Sequence, residues 1–395
     1  MKLAGLAQFD QWKSLRPRMN QSGGGQPYAR LRRIMLVCVA TFACVTAVFA
    51  NQFMGGARRP ETKFNQRGNL LIADQFNNRV IEIDPAGNIV WQFGLGPNDF
   101  SPRSVIGCND AQRVGSFTLM AATGTPGGLI PQAPDGVVDS RVILVDPHGN
   151  IVWQYGQFGQ LGNGRNQLNT PVQCTWLPNG HVLITDQGNN RVIEVNSVKH
   201  IVWQYPGSNQ RTEDQLDSPN SAELLDNGNV LIADENNGRA IEVNREDRIV
   251  RTFTARGTLG ALAFASRLKN DHTLLTDAGN SRVVEVDAND RVVWQYFTDT
   301  DPLSVAAPAP TRAVRLKNGD TLISDQFNNR VIRVNKMGNI VASYGLPLAG
   351  GDVIGNNIGY NRFSSQGGLF APYDAKVIGD YTGLTPPSLF GGDGD

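Results

Sequence analysis

Short hydrophobic runs alternate with polar turns along most of this chain, and their order repeats. The clearest copy lies in residues 171–205, where the pattern predicts strands at 172–177, 181–185, 191–195 and 201–205. The intervening segments are rich in Asn, Gly and Asp. Short β-rich runs separated by Asn-Gly turns are typical of successive antiparallel hairpins. The pattern therefore predicts a repeated unit of four antiparallel strands.

A polar motif marks the turn between the second and third strands of a unit. It consists of Asp, then Asn three residues later and Arg five residues later, and it occurs five times: Asp74, Asn77 and Arg79; Asp186, Asn189 and Arg191; Asp234, Asn237 and Arg239; Asp277, Asn280 and Arg282; Asp325, Asn328 and Arg330. Asp and Asn side chains stabilise tight turns by bonding the nearby backbone. We therefore predict that the motif builds turns rather than binding a ligand. A calcium loop needs more carboxylates than one per copy.

The register of the units shows how many there are. Six arginines mark the predicted third strands: the five of the motif and Arg141. In every unit, the residue twelve positions after this arginine falls at the equivalent position of the predicted fourth strand. Four strands in about 40–50 residues are typical of a β-propeller blade. The first unit starts at its second strand, 69–73, and its missing strand is predicted at 371–378. We therefore predict an all-β, six-bladed propeller over 64–383, with the C-terminal strand closing the ring and removing its open edge.

The opening phrase of the third unit carries a family resemblance. Gly156, Gly159, Gly162-Asn163-Gly164 and Gln167–Pro171 precede a strand, an Asn-Gly turn, a strand and the Asp-x-x-Asn-x-Arg motif. This order resembles the NHL repeat of bacterial-type exported propellers, and residues 367–375 are similar to the same phrase. The resemblance covers about 64–383 and implies a six-bladed propeller. It leaves function open among ligand sensors, protein-interaction modules and a few enzymes.

The N-terminal part is predicted to lie outside the propeller. Residues 1–33 are polar and end in three arginines, 34–50 carry no charge, and 51–63 form a linker. A positive flank before an apolar run indicates a signal peptide or a membrane anchor. The arginines favour a cytoplasmic leader and therefore an extracytoplasmic propeller, secreted or anchored. Cleavage, and a start at Met1 or Met19, stay open. Residues 384–395 are predicted to be a flexible tail.

The composition of the chain restricts the classes of partner that it is expected to bind. The chain has 36 basic and 36 acidic residues, whereas a nucleic-acid binder normally carries a basic surplus. Membrane contact is therefore expected only through 34–50. Two of the four cysteines lie in that run. Export permits a disulfide between the others, Cys108 and Cys174, but the alignment favours two buried thiols.

Polar residues of the inner strands are candidates for ligand contacts in the central channel. One aligned position is held by Ser104, Gln173, Ser221, Phe264, Arg312 and Asp374, and the position two residues later includes Glu223 and Lys376. The residue between these two positions has a small side chain in every unit, and in the second unit this residue is predicted to be Val105. Burying a charge without a partner is costly, so Arg312, Asp374 and Glu223 are the strongest candidates unless they pair with one another. The predicted ligand-binding set is Ser104, Gln173, Ser221, Glu223, Arg312 and Asp374.

The second unit breaks the symmetry. Its second strand is predicted at 116–122, and residues 123–140 replace the short Asp-x-x-Asn-x-Arg turn. This insertion contains Leu129 and Ile130. We expect it on the face that carries the blade connections, either over the channel or as a tolerated surface insertion.

The four histidines are predicted to lie in turns on the opposite face, at His148, His181, His200 and His272. Amidating lyases of the NHL type and arylsulfotransferase-like propellers use histidines, but no residue here can be matched to theirs. No catalytic motif is recognisable, and we predict no cofactor; a metal at the channel stays open. The four Trp residues that begin Trp-Gln-aromatic segments resemble the Trp-docking motif of quinoproteins; we expect these rings to pack between outer strands.

These observations favour a binding or scaffold module over an enzyme. We predict that its channel mouth is presented to a small ligand, a glycan or a protein partner. The alternative is an extracytoplasmic hydrolase or lyase with a polar site in the channel, and a quinone-binding propeller is less favoured. The ligand and the oligomeric state stay open.

Overall fold

The computed structural model describes residues 63–207, 212–302, 304–345 and 368–380. The predicted apolar segment 34–50 and the tail 384–395 lie outside these residues. Within the described part, no helix combines the length and apolar character needed to cross a membrane.

The described chain forms six four-stranded antiparallel sheets. Each sheet is one blade, and in five of the six blades the four strands follow one another in sequence. Blade 1 contains β1 (Leu70–Asp74), β2 (Arg79–Ile83) and β3 (Ile89–Phe93); blade 2 contains β4 (Cys108–Val114), β5 (Phe117–Thr125), β6 (Val137–Val145) and β7 (Ile151–Gly156); blade 3 contains β8 (Pro171–Trp176), β9 (Val182–Asp186), β10 (Arg191–Val195) and β11 (Ile201–Tyr205). Blade 4 contains β12 (Pro219–Leu224), β13 (Val230–Asp234), β14 (Arg239–Val243) and β15 (Ile249–Phe253); blade 5 contains β16 (Leu262–Arg267), β17 (Thr273–Asp277), β18 (Arg282–Val286) and β19 (Val292–Phe297); blade 6 contains β20 (Arg312–Arg315), β21 (Thr321–Asp325), β22 (Arg330–Val334) and β23 (Ile340–Tyr344).

The C-terminal strand closes the ring. β24 (Pro372–Val377) pairs antiparallel with β1, with Lys376 opposite Leu71 and Asp374 opposite Ala73. Blade 1 is therefore completed by residues about 300 positions away in the chain. This arrangement confirms the prediction of an all-β, six-bladed propeller closed by its C-terminal strand.

The Asp-x-x-Asn-x-Arg motif builds the turn between the second and third strands. In blade 1, one carboxylate oxygen of Asp74 accepts the side-chain N–H groups of Asn77 and Arg79, both at 2.7 Å. The other oxygen accepts the backbone N–H of Phe370 at 2.7 Å. Asn78 then adopts the left-handed conformation, with φ of 49°, which Asn tolerates better than most residues. The Asn and Arg bonds recur in all five copies, so the polar groups of the motif bond one another in each of these turns. That the motif is structural stays a prediction.

Blade 2 has no copy of the motif, but another aspartate–arginine pair forms comparable bonds there. Asp139, on β6, pairs with Arg141 and also accepts the backbone N–H of Ile106 at 3.0 Å. The carboxylate therefore comes from the third strand of the blade rather than the second. The insertion in blade 2 carries its own replacement for the missing Asp.

Neighbouring blades are joined by ion pairs. A glutamate of the third strand pairs with an arginine of the next blade, as in Glu194–Arg245 at 2.7 Å and Glu242–Arg267 at 2.9 Å. The guanidinium of Arg245 also lies 4.9 Å from the ring centroid of Trp203. Trp91, Trp153 and Trp294 donate their indole N–H groups to backbone carbonyls of the following blade. The Trp series thus packs between outer strands, as predicted.

The sequence alignment of blade 2 was wrong. Its inner strand begins at Cys108, so Asp110, Ala111 and Gln112 occupy the register that had been assigned to Ser104, Val105 and Ile106. Ser104 precedes the strand, and its backbone carbonyl accepts a bond from Arg141. The insertion is also shorter than predicted, because β5 and β6 extend into it and leave a turn at 126–136. Blade 2 lacks the polar motif that aligned the other units, and it also lacks the Gly-rich opening phrase of the third unit.

Removing one motif carboxylate tests the structural role of the repeat. Asp186 is buried and bonds Asn189, Arg191 and the backbone of Asn169. Since breaking a buried ion pair leaves an uncompensated charge, we expect Asp186→Ala to lower the free energy of unfolding by about 3–5 kcal/mol in urea titration. Arg248→Ala, at an exposed pair with Glu246, should change it by less than about 0.5 kcal/mol. Equal effects of the two substitutions would contradict the assignment.

Candidate functional site

The inner strands carry β-bulges at one end of the channel. In five of the six blades the pairing register slips at the same place, and the extra residue is Asn109, Val172, Asn220, Ala263 or Tyr373. A bulge redirects its side chain and is frequent beside functional sites. Four of these five residues line a cavity at the channel mouth.

A second ring is formed by the residue that follows the motif Asp. This residue begins the short turn between the second and third strands and therefore lies at the same end of the channel as the bulges. It is Gln75, Gln187, Glu235, Ala278 and Gln326 in blades 1, 3, 4, 5 and 6. All five residues line the same cavity.

The two rings enclose a cavity of about 90 Å³, which we call the mouth cavity. One wall is polar and comes mainly from blades 1 to 4 and 6: Gln75, Asn109, Gln187, Asn220, Glu235 and Gln326. The other wall comes mainly from blade 5 and the connection to blade 6, and it is largely apolar: Ala261, Ala263, Ala278, Ala307, Ala309 and Phe327. A cavity with few convergent polar groups and an apolar wall is typical of a small-molecule site.

Amide side chains link three blades along the polar wall. Gln326 donates to Gln75 at 2.8 Å, and Gln75 donates to Asn109 at 2.8 Å. These bonds run from blade 6 through blade 1 to blade 2. They hold three side chains of the cavity wall in fixed orientations before any ligand arrives.

Glu235 is the carboxylic acid of the mouth cavity. Its Oε2 atom accepts the amide N–H groups of Asn220 at 2.8 Å and of Gln187 at 3.2 Å. Burial raises the pKa of Glu235 to about 7, although the bond from Asn220 and the positive charge of Arg312 lower it. The carboxyl group therefore changes charge close to neutral pH, as acid–base and binding groups often do.

Arg312 forms the floor beneath the cavity. Its guanidinium donates to the carbonyls of Val172, Ala263 and Thr311 and to both oxygens of Asn220, at 2.9–3.2 Å. The group also stacks on the rings of Tyr373 and Phe264, with centroid distances of 4.9 and 5.1 Å. These contacts reach blades 1, 3, 4, 5 and 6. The predicted candidate Arg312 is therefore a central support of the channel, with 1% of its surface exposed.

A second charged cluster lies deeper in the channel. Lys376 bonds Asp110 at 2.8 Å and also contacts Asp374, so the ammonium group is shared by two carboxylates. Burial raises the pKa of Asp374 to about 6, and the nearby Lys376 opposes the shift. Asp374, one of the three predicted charged candidates, is thus paired within the protein, although with Lys376 and not with Arg312 or Glu223. Cys108 and Cys174 lie near this cluster as buried free thiols, as predicted.

The other inner-strand candidates bond the backbone of the next blade. Gln173 accepts the N–H of Ala222 at 2.6 Å, Ser221 accepts that of Ala265 at 3.1 Å, and Glu223 accepts that of Arg267 at 3.0 Å. None of these three lines the mouth cavity. Their role as ligand contacts remains a prediction, whereas their described bonds join blades.

The blade 2 turn lies at the channel mouth, as expected. Gly124 and Pro126 line the mouth cavity. Beside it, Ile130 is buried in a cluster with Phe76 and Phe370, against which Leu129 and Phe327 pack. These aromatic residues belong to blades 1 and 6. The turn therefore crosses from its own blade to two others and forms part of the cavity wall.

The histidines lie away from this site. His181 and His272, in turns between first and second strands, contact Glu194 and Glu285 at 2.6 Å. No histidine lines the mouth cavity, and the described ranges contain no group of three His, Cys, Asp or Glu residues arranged to hold a metal.

The comparisons with known proteins concern the fold alone. No protein-family model and no curated protein matches the sequence. The six-bladed propeller is similar in structure to virginiamycin B lyase from Staphylococcus aureus, with 13% identity, 73% of this chain and 83% of that chain covered, and a TM-score of 0.47. It is also similar to a protein of unknown function from Bacteroides caccae, with 14% identity, 70% and 93% covered, and a TM-score of 0.49. The nidogen/laminin complex contains a further similar chain, with 12% identity, 70% and 92% covered, and a TM-score of 0.46.

The pH dependence of stability tests the environment of Glu223. Burial raises its pKa from 4.5 to about 8, so the folded state binds more protons than the unfolded state between these values. Stability from this group is therefore lost as pH rises through that window. We expect Glu223→Gln to gain stability relative to the parent between pH 5 and 8, by up to about 1.4 kcal/mol per pH unit in urea titration. Parallel curves for Glu223→Gln and for the exposed control Glu246→Gln would refute this environment.

Proposed function

We propose that this chain is a propeller binding module whose mouth cavity holds a small ligand with polar groups. The observation that carries the proposal is the pair of polar rings at the bulges and after the motif Asp. The motif residues and the inner-strand side chains already bond within the protein. The side chains of the two rings instead line the mouth cavity, and the amides of Gln326, Gln75 and Asn109 are pre-oriented by mutual hydrogen bonds.

The size of the cavity favours a small molecule over a glycan or a protein. A water molecule needs roughly 10–15 Å³ of such space, so the cavity of about 90 Å³ has room for a ligand of only a few heavy atoms. A protein or glycan partner would instead need a broad surface, and the buried polar groups of the cavity would contribute little to it. No cofactor is part of this proposal.

A hydrolase or lyase is the second candidate function, and Glu235 is the observation that favours it. A carboxyl group with a pKa of about 7 is suited to general acid–base catalysis at neutral pH. Such an enzyme would use Glu235 to move a proton on a substrate in the mouth cavity. It would lose turnover in Glu235→Gln over a panel of ester, amide and elimination substrates.

The NHL-type repeat and the export of the chain also belong to the proposal. The Gly-rich opening phrase and the repeated motif support the first, and the arginine flank before 34–50 supports the second. An extracytoplasmic site would meet ligands from outside the cell or from the periplasm.

Substitutions at the rim of the cavity test the proposed binding site. Ala307 and Ala306 are adjacent and exposed, but only Ala307 lines the cavity. We expect Ala307→Trp to fill the cavity and abolish the thermal shifts that a panel of polar metabolites below about ten heavy atoms gives the parent. Ala306→Trp should keep these shifts. A panel response that survives Ala307→Trp, or no response in the parent, would refute the cavity as the binding site.

Export is tested with fusions of the N-terminal segment. Residues 1–63 joined to alkaline phosphatase should give activity outside the cytoplasm of a bacterial host, because the apolar run directs translocation. Replacing two central apolar residues of 34–50 by Arg should reduce this activity at least tenfold. Equal activity of the two fusions would contradict export.

A further inference from the structure

The mouth cavity contains a carboxyl group with one unused oxygen. Oε2 of Glu235 accepts two amide N–H groups. Within the described residues, Oε1 has no hydrogen-bond donor and Glu235 has no ion-pair partner. The side chain is buried, with 3% of its surface exposed. A buried carboxylate without a cation is costly, and a ligand that supplies one would remove that cost.

We propose that Glu235 is the counter-ion for the primary ammonium group of a small aliphatic amine bound in the mouth cavity. The proposal deepens the proposed function and rests on it. The ammonium would donate a charge-assisted hydrogen bond to Oε1, which is stronger than a bond between neutral groups.

The charges around Glu235 leave this position open for a cation. Arg312 is the cation behind it, but Asn220 stands between them: the guanidinium donates to Asn220, and Asn220 donates to Glu235. Tyr373 also bonds Asn220 rather than Glu235. Asp217, on the connection before β12, is the nearby acid and raises the pKa of Glu235. Within the described residues, no Lys, Arg or His therefore forms an ion pair with this carboxylate.

The walls of the cavity fit the rest of such a ligand. The alanines of the apolar wall offer contact to a short aliphatic body, and the ring of Phe327 lies in the same wall. An aromatic face attracts a cation, and none of the arginine–aromatic stacks of the described residues uses Phe327. The amide groups of the polar wall are available to orient further hydrogen-bonding groups of the ligand.

The protonation of Glu235 gives the binding a defined pH dependence. The free carboxyl group is about half protonated near pH 7, whereas binding an ammonium requires the ionised form. Affinity is therefore expected to fall about tenfold per pH unit below 7. It should be nearly constant from pH 8 up to the pKa of the amine, near 10.

Binding of three matched probes to the full chain tests the inference. Ligand-observed NMR titrations with n-butylamine, n-butanol and butyrate compare an ammonium, a hydroxyl and a carboxylate on similar bodies. At pH 8 we expect the amine to bind at least tenfold more tightly than the other two, and about tenfold more weakly at pH 6. Glu235→Gln should remove the preference for the amine and its pH dependence. Glu242→Gln, which alters a buried carboxyl group of the same blade outside the cavity, should leave both unchanged.

Each contrary result has a distinct meaning. Equal or tighter binding of butanol would overturn the amine proposal and leave the cavity as the site of a neutral ligand. Amine binding that persists in Glu235→Gln would also overturn it. If no probe binds and the metabolite panel is silent as well, both the inference and the proposed function fail.

Discussion

The guanidinium group of Arg312 needs hydrogen-bond acceptors and has no access to bulk water. Its acceptors are backbone carbonyls of β8, β12 and β16, together with the side chain of Asn220, and its faces stack on Phe264 and Tyr373. One side chain of blade 6 therefore depends on the positions of four other blades. Because a buried charge without partners costs several kcal/mol, this requirement fixes where the inner strands meet.

The polar residues of the channel fall into two groups: those that bond only within the fold and those that also line the mouth cavity. The motif Asp, Asn and Arg residues bond one another, and the polar inner-strand residues accept backbone N–H groups of the next blade. Buried polar groups are normally satisfied in this way. The residues after the motif Asp also bond between blades, as Gln326 does to Gln75, but they line the mouth cavity as well, and Oε1 of Glu235 accepts no hydrogen bond within the described residues. The functional proposals therefore rest on the polar groups that line the mouth cavity.

Periodicity predicted the features that every blade shares. The motif turns, the small residues of the inner strands and the closing strand β24 follow from residue types that recur at fixed spacing. The bulges were missed because a single extra residue shifts the register without a mark in composition, so Asn220 and Tyr373 were passed over for Ser221 and Asp374. Ser104 was misassigned because blade 2 has neither the opening phrase nor the motif. The second ring could have been predicted from the sequence, because Gln follows the motif Asp in three of the five copies.

Hydrogen exchange of Arg312→Met measured by mass spectrometry tests the central claim most directly. If one guanidinium holds five blades around the channel, loss of its bonds will reduce amide protection in β8, β12, β16 and β24 as well as in β20. The outer strands β11, β15 and β19 should keep their protection in the folded variant. A change confined to β20 and its immediate neighbours in blade 6 would contradict the account, because it would show that the other blades do not depend on Arg312.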